Sequence, residues 1–102
     1  MRAAKQAGWR VLIKEAMANG RLVREPPALL AAEATRLGAT CDAIALAVAR
    51  AQPFADVVLS GAATVEQVRS NAVAIDVDVG RLGSLVVPAD VYWAARAKLA
   101  WT

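Results

Sequence analysis

The stretch DVVLSGAATVEQVRSN, residues 56–71, runs from an unbroken apolar segment through four small residues into the start of a helix. Val57, Val58 and Leu59 follow one another without polar interruption, which suits a strand covered on both faces better than one with a wet side. Thr64 followed three residues later by Gln67 is a capping box, and Glu66 adds an acid to the first helical turn. Strand therefore gives way to helix across Ser60, Gly61, Ala62 and Ala63, a loop with almost no side chains. Two readings fit that gap. In one it lets an anion such as a phosphate approach the backbone in front of a helix N-terminus. In the other it is an ordinary strand-to-helix turn kept small for packing, since a lone small-residue turn is weak evidence of a site.

Working outward in both directions gives the rest of the order. Arg2 to Ala7 reads as the tail of a helix closed by Gly8, and WRVLI, Trp9 to Ile13, as a strand with Lys14 and Glu15 at its C-terminal end. Asn19-Gly20 marks a turn, and Glu25-Pro26-Pro27 a stiff break that suits a helix start ahead of it. Leu29, Leu30, Ala34 and Leu37 recur at helical spacing up to Gly38. Thr40 opens the next helix, with Ile44, Leu46 and Val48 among alanines, and Gln52-Pro53 ends it. The strand from Asp56 to Ser60 and a helix from Thr64 to about Ala74 follow. After a connection rich in Gly and Val, Pro88 and Asp90 open a last helix carrying Val91, Tyr92, Trp93 and Leu99 to Trp101. Tyr92, Trp93 and Trp101 read as the docking face of an amphipathic helix. Strands joined by helical crossovers pair in parallel, so the chain reads as α/β. Two strands alone leave open edges and uncovered faces, and the sequence therefore reads as part of a larger sheet.

Composition excludes several classes of function. The chain has 102 residues, enough for a single domain with a modest core, and 58% of them are hydrophobic. Its longest apolar runs, such as Ala43 to Ala49, fall far short of the roughly 20 residues a membrane span needs. The opening MRAAKQAGWR has neither an apolar run of secretory length nor a cleavage-like site, so no signal peptide is expected. A lone Cys41 cannot form an internal disulfide and fits a reducing cytoplasm. The net charge is +3, but the twelve Lys and Arg are scattered among nine acids without a basic run, so nucleic acid is not an expected partner. Histidine is absent, which removes imidazole acid–base chemistry and His-ligated zinc. No metal site is expected.

The runs VLIKEAMANGRL, PPALLAAEATRLGATCDAIALAVARAQP, DVVLSGAATVEQVRSN and VYWAARAKLAW together resemble, in order and spacing from about Gly8 onward, the C-terminal third of the aldo/keto reductases. The resemblance implies a partial (β/α)8 TIM barrel: its last two parallel strands with their helices and a C-terminal helix, residues 1–102 forming one incomplete domain. Phosphate sites of such barrels form in the loops after strands seven and eight, in agreement with the anion reading of the 60–64 gap. It also implies the C-terminal, cofactor-phosphate-binding segment of an NAD(P)-dependent carbonyl or alcohol oxidoreductase. Ser60, Gly61, Ala62, Ala63, Thr64, Gln67 and Asn71 fall where that family holds the adenosine end of NADP, with NAD also compatible. The loop from Lys14 to Leu22 falls along the pyrophosphate.

The sequence departs from the family pattern in places. Many members carry Lys or Arg in the eighth loop, or Arg in place of Gln67, and Glu in place of Ser70. Here Arg69 is the nearest basic residue, one position off the expected face. The family's catalytic Tyr and its partners belong to earlier strands, so no catalytic residue is expected here, and a small carbonyl substrate is expected only in a complete barrel. Lys14 and Glu15 read as salt-bridged or solvated structural residues. Two alternatives stay open: a non-catalytic nucleotide- or phosphate-binding module, and a truncated gene product without activity. Exposed strand edges and apolar composition predict self-association.

Overall fold

A computed structural model describes residues 1–100. Helices dominate it: α1 (Arg2–Gln6), α2 (Arg21–Arg24), α3 (Ala28–Leu37), α4 (Cys41–Arg50), α5 (Val65–Asn71) and α6 (Ala89–Arg96), with a 3-10 segment at Val79–Leu85. The strands are short, β1 (Leu12–Ile13) and β2 (Val57–Val58), and they pair in parallel with Leu12 opposite Val57 and Ile13 opposite Val58.

The hub of the fold is α4. Alanines alternating with larger apolar residues leave little bulk on the helix, so neighbours can close on it from several sides. Ala43, Ile44, Ala45, Leu46 and Ala47 are all buried, and α2, α3, α5 and β2 pack around them. The core joins Ile44 to Leu30 and Ala34 of α3 and to Leu82 of the 3-10 segment. The α3 helix stops at Gly38, whose φ of +62° is a left-handed cap that glycine adopts without strain. Glu33 is buried on α3, where its carboxylate accepts from Arg36 one turn on and from Arg81 of the 3-10 segment at 3.3 Å. That ion pair ties the 3-10 segment to the helix it packs on.

The expected partial (β/α)8 TIM barrel is overturned. The described residues are mostly helical with two short parallel strands, and among them no barrel-like arrangement is formed. The strands expected over Trp9 to Ile13 and Asp56 to Ser60 shrink to two residues each because each has one hydrogen-bonded neighbour and an open outer edge. Their pairing is anchored at its start, where the Asp56 carboxylate accepts the Val11 N–H at 2.7 Å and also takes the Lys5 ammonium. One sheet face lies against α4. The other bares Leu12, Val57 and Leu59, with Trp9 of the preceding segment 70% exposed, whereas a barrel strand is covered on both faces. Trp101, read from sequence as part of the C-terminal docking face, lies outside the described residues.

Candidate functional site

The loops that follow β1 and β2 leave the same end of the parallel pair, and a cleft of about 550 Å³ opens between them. In open parallel sheets ligands bind at this carboxyl end of the strands. From the second loop and α5, Ser60, Gly61, Ala62, Gln67 and Asn71 line the cleft, while Ala63 and Thr64 are not among its walls. From the first loop and α2 come Lys14, Glu15, Asn19, Gly20 and Arg24.

The second loop is built by its own side chains. Thr64 caps α5 by accepting the Gln67 N–H at 3.1 Å, and the Gln67 side-chain carbonyl accepts the Ala63 N–H at 2.7 Å. The expected capping box has formed one residue wider than its usual pattern, with Gln67 reaching the residue before the cap. Ser60 Oγ accepts the Ala62 N–H at 3.3 Å. Of the two backbone donors that the family resemblance assigns to an anion, Gly61 and Ala62, that of Ala62 is thus engaged inside the loop, as is the neighbouring Ala63 N–H. Gly61 has a φ of +66°, and a Cβ placed there would meet no atom within 4 Å. The requirement for glycine at 61 is therefore conformational, and neighbouring side chains do not fill the space beside it.

Asn71 is buried beneath this loop. With its amide nitrogen turned toward them, it donates to the Asp42 carboxylate at 2.6 Å and to the Gln67 carbonyl at 3.2 Å. Burial pushes the Asp42 carboxyl upward, but hydrogen bonds from the Ser70 and Thr40 hydroxyls and nearby backbone N–H groups outweigh it and leave the pKa below the usual value. Thr40 and Ser70 also share a hydrogen bond at 3.0 Å. These contacts pin α5 to the start of α4 and fix the rear wall of the cleft.

The first loop is strained and positively charged at its rim. Glu15, Ala18 and Asn19 have φ of +56°, +50° and +58°, a left-handed backbone that non-glycine residues adopt at a cost. Gly20, at φ +79°, completes the turn and leaves room for the Arg24 guanidinium, which donates to the Asn19 carbonyl at 3.2 Å. Lys14 and Arg24 are exposed and bring two cationic groups to the cleft, whereas Arg69 does not line it. The Glu15 carboxylate is held by Arg96 of α6 at 3.2 and 3.3 Å and by the Tyr92 hydroxyl at 3.3 Å. The Arg96 hydrogen bond is the main reason its pKa is lowered, against the opposing effect of burial. Of the two roles that the sequence left open for Glu15, salt-bridged or solvated, the structure shows the first, with Arg96 as the partner. Arg24 was missed as a cleft residue. Its signal was the Asn19-Gly20 turn, which folds the next helix back over the loop.

The chain matches no protein-family model, no curated protein and no solved structure. Among the described residues no helix is long and apolar enough to cross a membrane.

Proposed function

We propose that this chain binds the phosphate-bearing end of a nicotinamide dinucleotide, NADP or alternatively NAD, as the cofactor-phosphate-binding segment of a cytoplasmic carbonyl or alcohol oxidoreductase of the aldo/keto reductase kind. The observation that carries this reading is the shared cleft. Small residues of the loop after β2 face cationic residues of the loop after β1 across a space of about 550 Å³, within the range of small-molecule sites. Lys14 and Arg24 supply charge-assisted donors for phosphate oxygens, and the open space beside Gly61 admits them close to backbone. Gln67 adds a side-chain amide whose carbonyl is already held by Ala63, which leaves the NH2 group for the ligand. Both acids in the cleft walls are engaged, Glu15 by Arg96 and Asp42 by hydroxyl and amide donors. This role rests on two loops and needs no closed barrel around them. The segment contributes binding and orientation, while hydride transfer belongs to the cofactor and to groups outside the cleft.

Calorimetric titration of NADPH and NADH into the protein tests the proposal. Binding weakened by roughly tenfold or more in both Lys14→Ala and Arg24→Ala is the expected result. Absence of binding to either cofactor overturns it. Inorganic phosphate or ADP competing as well as the full dinucleotide would instead assign a general phosphate-binding module.

A further inference from the structure

Glu15 belongs to two structures at once: it stands in the strained loop that lines the cleft, and its carboxylate holds α6. The α6 helix has no buried residue, so burial of an apolar face contributes little to its docking. Its side-chain ties to the body include those of Glu15 with Arg96 and Tyr92, and the Arg21 guanidinium 5.4 Å from the centre of the Tyr92 ring. Behind α6 lies a second, largely apolar space of about 650 Å³. Leu22, Leu30, Val48 and Leu82 form its floor, and Val91, Tyr92 and Ala95 of α6 form one wall. Leu30 and Leu82 are also core residues. A helix without a buried face, standing over an opening that reaches the core, depends for its position on the groups that clasp it, and Glu15 meets two of its side chains.

We propose that α6 is a lid over this apolar opening and that Glu15 is its latch, so that release of the Glu15 carboxylate opens the space beside the core without unfolding the body. The latch is independent of whether a nucleotide occupies the cleft.

Hydrogen exchange followed by mass spectrometry on the full chain tests the latch. In Glu15→Gln the α6 amides should exchange faster by roughly tenfold or more, while those of α4 keep their protection. Tyr92→Phe keeps the ring beneath Arg21 and removes only the hydroxyl, and should accelerate α6 by a smaller factor. Binding of an apolar fluorescent dye should rise in the same order. Unchanged α6 exchange in Glu15→Gln, or equal acceleration of α4 and α6 in both variants, would overturn the latch.

Discussion

Gln67 holds Ala63 from within the helix that Ala63 precedes: its side-chain carbonyl accepts the Ala63 N–H at 2.7 Å, while its own N–H donates to Thr64 at 3.1 Å. Loop and helix are thereby locked by one side chain reaching backward and one reaching forward, and the shape of the 60–64 gap depends on both.

Removing the forward cap should loosen that lock. Thr64→Ala leaves the Gln67 N–H to water and is expected to cost about 0.5 to 2 kcal/mol of stability. Urea denaturation should show a lower midpoint with an unchanged slope. A midpoint equal to that of the wild type would mean the cap contributes nothing to the fold.

Acid should weaken the protein in part through Glu33. This carboxylate is buried, and its hydrogen bond to Arg36, opposed by burial and helped by Arg81, lowers its pKa below the ordinary value of 4.5. A depressed folded-state pKa means that the unfolded chain binds the proton more readily. The stabilisation is therefore complete above the ordinary value and is lost as pH falls through the lower folded one. Glu15 and Asp56 act in the same direction. Glu33→Gln should be less stable than wild type at neutral pH and lose less between about pH 5 and pH 3. Melting curves across that range check it, and parallel losses in the two proteins would remove Glu33 from the acid response.

Legibility in the sequence followed the range of the interactions. The α3 and α4 helices are read from apolar spacing, Gly38 and Pro53, and α5 from Thr64 and Gln67, because their caps and stops are local. Strand length was not legible, since it depends on neighbours across the sheet, and the same dependence undid the barrel. The 3-10 segment at Val79–Leu85 was read only as a Gly- and Val-rich connection. Its start is set by Asp78 accepting the Gly80 N–H, and its burial by Leu82 against α3, neither of which gives a helical period. In the candidate site, Gly61 and Gln67 were visible as a motif. Glu15 and Arg96 meet across a separation of 81 residues, and no local pattern announces such a pair.

The bare face of the two-stranded sheet should drive self-association. Leu12 and Val57 are opposite one another in register and remain 60% and 42% exposed, and Leu59 continues the same face. Sedimentation velocity should find species larger than the monomer, with the population rising with concentration. Leu12→Lys should shift the protein toward monomer while leaving its helical circular dichroism unchanged. A wild type that stays monomeric across the concentration range would show that this face is tolerated in water.

Gly61 separates backbone geometry from ligand contact. Its φ of +66° lies in the left-handed region, and a Cβ there would meet nothing within 4 Å of protein. Gly61→Ala should therefore cost stability through the backbone alone, about 1 to 2 kcal/mol, with no clash inside the chain. Gly61→Val adds a branched side chain that projects into the space where a phosphate would approach. If the cleft holds the cofactor, NADPH affinity should fall far more in Gly61→Val than in Gly61→Ala, by a margin exceeding the difference in their stabilities. Arg69 supplies the control, since it does not line the cleft: Arg69→Ala should leave both NADPH and NADH affinity unchanged, whereas Arg24→Ala should weaken them. Fluorescence titration of both cofactors into the four variants decides the matter. Equal affinities in Gly61→Ala and Gly61→Val would mean that nothing binds beside Gly61, and that its glycine is there only to turn the chain.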